Sequence, residues 1–427
     1  MIKSPGNKKK TTKNYTLGIA DVLLVYSMLS PIILLIIGAQ IKLVPNFFRT
    51  LVVLLGPGIL AGVIYFKVFG IQVLKRSKWI IAFMMLFAFV FLLSSIKHMD
   101  TESTMESLKF FIGWCLYGFG LGTISNMSIN RTKRFNMILV IFIIGFLAYS
   151  IYQWWPTLGQ RFDIEGINNA QIGTLFYFFS LCVLCYFHFP KNLLSKILVG
   201  TLSLACFIIA FYSASRTAFF GFLISFVIYL FFYSHIKLNK IYPIVVASML
   251  IIAFILLLPK INKLVITRHI SAFKAVEKII TYMKADDLPY MKSDDPDSHT
   301  SVSIRLRIWK TAIEEFKENP VLGSGIGIPY HDKVLNIDLV HPHNIVLELL
   351  AETGLVGFGV FAILFGLIFK RAFFIYRQLA IDNRMTFLFY PLSLLFFFLF
   401  SSLHTDLSTE YFKWYFAGII AGFDTAG

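Results

Sequence analysis

The chain has 427 residues, of which 57% are hydrophobic and only 15% are charged. A soluble core of this length could not enclose so much hydrocarbon, so the composition excludes an ordinary globular protein and favours a lipid solvent. The formal net charge of +16 does not indicate nucleic-acid binding, because the basic residues fall in short runs between apolar stretches.

The apolar stretches predict an all-α, polytopic membrane protein with about twelve transmembrane helices, since a span needs about 20 apolar residues to cross roughly 30 Å of hydrocarbon. The basic N-terminus precedes an apolar segment without a small-residue cleavage site, which indicates an uncleaved anchor. The predicted spans are residues 18–38, 48–69, 79–97, 106–126, 135–155, 171–189, 196–213, 217–234, 241–258, 345–369, 386–403 and 411–424.

The basic runs predict the orientation, because short loops rich in Lys and Arg stay in the cytoplasm. With the N-terminus inside, the clusters at 75–78, 131–134, 191–196, 237–240 and 370–384 all lie on the cytoplasmic side. The chain is then one integral membrane domain in three parts. Residues 1–258 carry nine spans, residues 259–343 form a long periplasmic loop, and residues 344–427 carry three spans.

The predicted loop contains two amphipathic segments at 264–284 and 302–318, both expected to be helices on or near the membrane. Three glycines, Gly323, Gly325 and Gly327, resemble a phosphate-binding loop, but no strand precedes them and a turn is the better interpretation. The acidic cluster of Asp294, Asp295, Asp297 and His299 fits a solvated run better than a metal site.

The four cysteines fall inside apolar stretches and are predicted to be small buried residues. Cys182 and Cys185 have the CxxC spacing, but their neighbours lack the charges and water access of a redox pair. The cysteines are Cys115, Cys182, Cys185 and Cys206.

Arginines at two places have the chemistry to bind phosphate. Arg216, in YSASRTAFFGF, lies between two apolar stretches on the predicted outer side. It either snorkels to the interface or grips phosphate oxygens bidentately, which lysine cannot reproduce. Arg305 and Arg307 begin the second amphipathic segment, where they are either solvated surface charges or anion ligands.

The segment LVHPHNIVLELLAETGLVGFGVF is the most informative in the chain. His341, His343 and Asn344 stand just before a span, and Glu348 and Glu352 follow on one helical face. Histidine can exchange a proton near neutrality, and a carboxylate such as Glu348 can hold an imidazole in one tautomer. A purely structural cap is the alternative.

These motifs resemble the O-antigen ligase and O-antigen polymerase superfamily. The resemblance rests on His343-Asn344 followed by Gly354 and Gly357, on the Ser213-to-Arg216 stretch, and on Arg305, Trp309 and the Asn319–Gly327 turn. It covers roughly residues 160–360 in order, spacing and sidedness. Ser213 stands where the family's arginine motif has Thr, and the first four spans carry no recognisable family feature.

The resemblance implies a membrane glycosyltransferase of the GT-C type that uses undecaprenyl pyrophosphate-linked glycan without a metal or other cofactor. By this comparison His343 is the catalytic base, and Arg216, Arg305 and Arg161 bind the pyrophosphate; Glu348 is added as a catalytic candidate from its own chemistry. His341, Asn344 and Asp406 are possible acceptor or supporting residues.

The leading prediction is an O-antigen ligase of the bacterial inner membrane, acting at the periplasmic face and joining the glycan to a lipid A-core acceptor. A polymerase joining two lipid-linked repeat units is the first alternative, since both share the donor. A flippase or transporter is the alternative from another class, with the arginines on a substrate path. It predicts two halves with corresponding broken spans, and no such symmetry is visible.

Overall fold

The computed structural model describes residues 15–29, 47–96, 104–105, 107–108, 111–154, 169–186, 193–213, 215–235, 301–332, 337–339, 341–401 and 412–425. The predicted ninth span (241–258), the first amphipathic segment (264–284), the acidic cluster at 294–299, Arg161 and Asp406 lie outside these residues.

The described chain is mostly α-helical. The helices are α1 (Tyr15–Leu29), α2 (Phe47–Phe69), α3 (Gln72–Arg76), α4 (Lys78–Ser95), α5 (Tyr117–Ile124), α6 (Ile129–Trp154), α7 (Asn169–Tyr186), α8 (Leu193–Tyr212), α9 (Arg216–His235), α10 (Ser301–Glu318), α11 (Ile345–Gln378), α12 (Ile381–Ser401) and α13 (Phe412–Gly422).

Four helices of the described chain, α4, α6, α8 and α11, are long and apolar enough to cross a membrane. Shorter apolar helices lie in α1, α2, α7, α9 and α12. Because their side chains suit hydrocarbon, these helices indicate a multi-pass membrane protein. The number of twelve spans stays a prediction.

The predicted fourth span is not one regular helix. A π-helix at Phe111–Leu116 precedes the short α5, which packs against the wholly buried α13. Glycines allow this contact, since a Cβ on Gly122 would lie 2.5 Å from the Tyr415 carbonyl oxygen and one on Gly418 would lie 2.2 Å from that of Phe119. Close backbone approach through small residues is typical of helices packed in membranes.

A short β-hairpin departs from the predicted all-α fold. Strands β1 (Tyr330–Asp332) and β2 (Ile337–Leu339) pair antiparallel, with Tyr330 opposite Leu339. The predicted helix at 302–318 is confirmed as α10. Its apolar row of Ile308 and Ala312 packs on Tyr330 and on Ala351 of α11, so α10 and the hairpin form a layer against the start of α11.

Helix α4 connects the two ends of the bundle. At its start the Ser77 hydroxyl donates to the Ala421 carbonyl (2.5 Å), and near its end the Ser94 hydroxyl donates to the Glu352 carbonyl (2.5 Å). A helix of 18 residues is about 27 Å long at 1.5 Å per residue. The end of α13 and the first turns of α11 therefore lie at opposite ends of the bundle.

One of these ends, here called the basic end, gathers arginines from three of the predicted cytoplasmic loops. Arg76 pairs with Asp424 at 3.0 Å, Arg371 donates to the Phe423 carbonyl at 3.1 Å, and Asn126 accepts from both Arg76 and Arg131. Arg131 also pairs with Asp21, which accepts a hydrogen bond from Tyr65. This agrees with the predicted grouping of these loops on one side.

Helix α9 runs parallel to α11. Near its end the Phe232 ring lies 5.2 Å from that of Tyr376, close to the end of α11. Near its start a Cβ on Gly221 would touch Phe396 at 3.6 Å, toward the far end of α12. Since α12 begins at the basic end, Arg216 begins α9 at the opposite end. All four cysteines are buried and free, as predicted.

Candidate functional site

The N-terminus of α11 is built by the sequence His341-Pro342-His343-Asn344. The Asn344 side-chain oxygen accepts from the backbone N–H groups of Val346 (3.1 Å) and Leu347 (3.2 Å). Asparagine is a preferred residue at this capping position, because its short side chain satisfies donors that the first helical turn leaves unpaired. Asn344 is thus the N-cap of α11, and its predicted supporting role at the site stays a prediction.

His343 has a left-handed backbone, with φ of +53°. Among non-glycine residues, histidine is one of the few that adopt this region readily, and such strained positions concentrate at functional sites. The turn lets the chain pass directly from an extended approach into α11. The side chain is half-buried, so the imidazole is held beside the helix start and still reached by solvent.

The neighbouring His341 lies against the first carboxylate of α11. Its Nδ1 is 3.3 Å from Glu348 Oε1, and the Glu348 side chain is 5% exposed. A buried carboxylate needs a partner of this kind, since its desolvation is costly. The Glu348 carboxylate therefore lies beside the imidazole of His341, and the prediction that Glu348 orients His343 stays a prediction.

The second carboxylate, Glu352, lies one turn deeper and contacts Tyr330. The Tyr330 hydroxyl donates to Glu352 Oε1 at 3.5 Å, and both residues are buried. Burial, followed by the carboxylates of Glu352, Glu348 and Glu315, raises the pKa of Tyr330 well above its ordinary value. The phenol is therefore neutral at physiological pH and remains a donor to the carboxylate.

Helix α10 is tied to the histidine segment by Trp309. Its indole N–H donates to the carbonyl of Pro342 at 2.8 Å, which is the residue between the two histidines. Arg305 precedes Trp309 by four residues, so the two side chains leave the same face of α10, roughly 5–6 Å apart at Cβ. Trp309 thus places the face of α10 that carries Arg305 beside the segment of His341 and His343.

A backbone clip fixes the start of α11 to the turn after α10. The helix has non-helical angles at Gly354 (φ 63°, ψ −165°), and around this kink the N–H groups of Leu355 and Val356 donate to the carbonyls of Pro320 and Val321. In return, Ser324 N–H donates to Ala351 O at 2.7 Å and Gly325 N–H to Glu352 O at 3.1 Å.

The clip also distinguishes between a turn and a phosphate-binding loop for the glycine-rich sequence 323–327. All three glycines have positive φ, and the N–H groups of Ser324 and Gly325 are used by α11. The prediction of a turn rather than a phosphate loop is confirmed.

Replacing Gly354 by Ala is expected to destabilise the protein strongly. A Cβ there would lie 2.4 Å from the Val321 carbonyl oxygen, and a left-handed backbone costs a non-glycine residue about 1–3 kcal/mol before that clash. The matched control is Gly359→Ala in the same helix, where a Cβ meets nothing within 4 Å. Thermal unfolding of the detergent-purified variants is the measurement, and equal midpoints for the two would contradict the clip.

Of the remaining predicted residues, the structure describes the position of only one, Arg216. Arg216 is the first residue of α9 and lies at the same end of the bundle as α11's start, just after Ser213, whose hydroxyl donates to Ala210 O. Arg161 and Asp406 lie outside the described residues, and their predicted roles stay predictions.

A family comparison covers the same region. Residues 201–362 match the family model described as O-antigen ligase. This part of the chain is similar to the O-antigen ligase family. The resemblance inferred from the motifs is confirmed, and the matched region contains Arg216, Arg305, His343 and Glu348, whereas Arg161 and Asp406 fall outside it. A search of curated proteins finds no match for the chain.

Three contacts of the ligase-family region were not predicted from the sequence. Tyr330 reaches Glu352, the Thr104 hydroxyl donates to the Ile326 carbonyl at 2.7 Å, and Ser94 reaches the Glu352 carbonyl. The signal for Tyr330 was a large side chain with a polar tip in a water-facing segment. Ser94 and Thr104 carry no local signal, since their partners are more than 200 residues away.

Proposed function

We propose that the protein is an O-antigen ligase. It transfers polysaccharide from undecaprenyl pyrophosphate to a lipid A-core oligosaccharide at the periplasmic face of the inner membrane. The family match supports a glycosyltransferase of the ligase and polymerase type acting on lipid-linked polysaccharide. The donor, the acceptor and the GT-C classification are part of the proposal.

The observation that carries the proposal is the link between α10 and the start of α11. Trp309 joins the helix bearing Arg305 to the peptide between His341 and His343. A guanidinium and an imidazole with a carboxylate beside it are the groups that transfer from a pyrophosphate ester needs: charge to stabilise the leaving group and a base for the acceptor.

The positions of the basic residues support a periplasmic location for the candidate site. Arg76, Arg131 and Arg371 gather at the basic end, and short-loop basic residues are retained in the cytoplasm. The histidine segment lies at the other end of α4, about one hydrocarbon thickness away. The reaction then occurs where an exported lipid-linked glycan presents its head group.

In the proposed reaction, His343 removes the proton from the acceptor sugar hydroxyl. The hydroxyl oxygen forms a bond to the anomeric carbon of the donor glycan, and the bond from that carbon to the pyrophosphate oxygen breaks. Arg216 and Arg305, with Arg161 as a further ligand, stabilise the negative charge on the leaving undecaprenyl pyrophosphate. No metal or cofactor is assigned to any step.

The second histidine and its carboxylate support the base. His341 and Glu348 lie 3.3 Å apart and form an acid–base pair at the site. We assign this pair to binding the acceptor or to accepting the proton that His343 removes. Asp406 is retained as an acceptor-binding candidate by its position before the last helix.

Replacing Trp309 by Phe is expected to lower the transfer rate threefold to tenfold while the protein stays folded. The ring still packs, but the hydrogen bond to Pro342 O is lost, and such a bond contributes about 0.5–1.5 kcal/mol. Turnover of the purified protein, measured beside donor binding, separates positioning from binding. Unchanged turnover would show that this link does not orient the histidines.

A gene deletion distinguishes the ligase from the polymerase. Cells without a ligase accumulate lipid-linked polymer that is not attached to lipid A-core, whereas cells without a polymerase cap lipid A-core with a single repeat. We expect the first pattern. The second pattern would identify the protein as the polymerase, which uses the same lipid-linked donor as the ligase.

A transporter would use the same charges differently. Reconstituted protein that moved labelled lipid-linked glycan between leaflets and formed no glycosidic bond would contradict the proposed enzyme. The candidate site residues lie at one end of α4 rather than at its middle, and this favours the enzyme over a transporter with a midplane site.

A further inference from the structure

A groove on the outer surface of the bundle lies between α2 and α5, away from the candidate active site. Its volume is about 700 Å³, within the range of roughly 300–1,000 Å³ typical of ligand pockets. Its walls are apolar and are formed by residues such as Ile59, Val63, Phe66 and Leu121. Ile59, Val63 and Phe66 are more than half exposed, so the groove opens toward the lipid.

Two features of the sequence make the groove. Gly62 and Gly120 leave out side chains that would narrow the groove, and a Cβ on Gly120 would meet nothing within 4 Å. The hydroxyl of Tyr117, another wall residue, is engaged inside the bundle, where it donates to the Leu55 carbonyl at 2.9 Å and lies 3.1 Å from Ser27 Oγ. The groove therefore presents hydrocarbon along its length.

A single charged side chain contributes to the groove. Lys67 lies in the last turn of α2 and is exposed, and within the described part of the chain no ion pair involves it. Helix α2 ends two residues later, and α3 then leads to Arg76 at the basic end. The ammonium group is thus on the predicted cytoplasmic side, at the level of lipid head groups.

The length of the groove corresponds to one leaflet. Gly58 and Lys67 are nine residues apart in a helix, which is about 14 Å, and half of the roughly 30 Å hydrocarbon layer is about 15 Å. An acyl chain entering beside Lys67 would reach Gly58 near the bilayer midplane.

We propose that the groove is a binding site for one anionic phospholipid of the cytoplasmic leaflet. An acyl chain fills the space over Gly120 and the phosphate head group pairs with Lys67. A second copy of the chain fits less well, because a twofold contact through this face would bring two Lys67 side chains together. The inference does not depend on the proposed transferase activity.

Native mass spectrometry tests the site. The full-length protein is released from nanodiscs made of equal parts phosphatidylglycerol and phosphatidylethanolamine, and retained lipid is counted. We expect one retained phosphatidylglycerol. Lys67→Gln is expected to lower the preference for phosphatidylglycerol about fivefold, since one basic residue near an anionic surface contributes about that factor. Gly120→Leu is expected to abolish retention, because its Cβ meets nothing within 4 Å and the leucine side chain occupies the groove.

The controls are matched to each variant. Lys133→Gln removes an exposed charge from α6, and Gly145→Leu adds the same side chain at a glycine whose Cβ also meets nothing within 4 Å; neither lines the groove, and both are expected to retain lipid as the original protein does. Lys67→Glu, which leaves the groove walls unchanged, is expected to reverse the preference toward phosphatidylethanolamine.

Three results would overturn the proposal: equal retention by Gly120→Leu and Gly145→Leu, equal loss for Lys67→Gln and Lys133→Gln, or a dimer that Gly120→Leu dissociates. The last would assign the groove to self-association. Because transfer activity is measured separately, a failure here leaves the transferase account untouched, and the reverse also holds.

Discussion

His343→Asn is expected to reduce glycan transfer by about a hundred- to ten-thousand-fold, the usual contribution of a general base. Asparagine tolerates the left-handed backbone that His343 adopts at φ +53°, so the turn before α11 is kept while the base is lost. Turnover of purified protein with undecaprenyl pyrophosphate-linked glycan and a lipid A-core acceptor measures the effect.

The control for this variant is His331→Asn on β1, which removes an imidazole outside the segment before α11 and is expected to keep near-normal turnover. His343→Ala adds a second comparison, because it removes the base and strains the backbone. If His343→Asn inserts normally and still transfers glycan at more than a tenth of the original rate, the base is another group. If both variants fail to accumulate in the membrane, His343 is structural.

Arg216→Lys is expected to lower turnover about tenfold to a hundredfold although the positive charge is kept. A guanidinium donates two parallel hydrogen bonds to phosphate oxygens, which an ammonium cannot reproduce, and a hydrogen bond to a charged group contributes about 1.5–3 kcal/mol. Donor affinity and turnover are measured together, since the charge on pyrophosphate grows as it leaves and the loss is expected mainly in turnover.

The matched control is Arg377→Lys at the basic end of α11, where the guanidinium stacks on Phe373 with its central carbon 4.3 Å from the ring centroid. This change is expected to leave turnover unaffected. Arg305→Lys is expected to behave as Arg216→Lys does. If the Arg216→Lys and Arg377→Lys proteins have equal activity, Arg216 does not bind the phosphate and is an interfacial residue instead.

Local signals in the sequence were sufficient for several parts of the fold. Apolar length predicted helices such as α4, α6 and α8, and the 3.6-residue period at 302–318 predicted α10. The apolar run from residue 345 predicted the start of α11, and the structure shows Asn344 as its cap, a feature that depends only on the next three residues.

Other parts depend on contacts between distant residues and could not be predicted. The kink at Gly354 is stabilised by backbone partners around residues 320–325, and the interruption before α5 accompanies its packing against α13. The pairing of Glu348 with His341 crosses the cap of α11, and helical spacing alone relates residues only within one helix. The short hairpin after α10 has strands of three residues, too brief for a periodic signal.

For the candidate site, chemistry was easier to predict than geometry. Ionisable residues at the edge of an apolar segment are functional candidates wherever they occur, and this rule selected Arg216, His343 and Glu348. That they meet in one site is our proposal, and it rests on the parallel course of α9 and α11 and on the link from Trp309 to Pro342. Neither contact has a signature in the residues next to it.

The central claim is that Arg216, Arg305 and His343 meet around one pyrophosphate-linked sugar at the end of the bundle opposite Arg76 and Asp424. Electron cryo-microscopy of the His343→Asn protein in nanodiscs with the lipid-linked donor tests it directly. The account predicts the pyrophosphate between the two guanidinium groups, with the first sugar facing residue 343. Donor bound elsewhere, or Arg216 too far from residue 343 for both to touch the same donor, would contradict it.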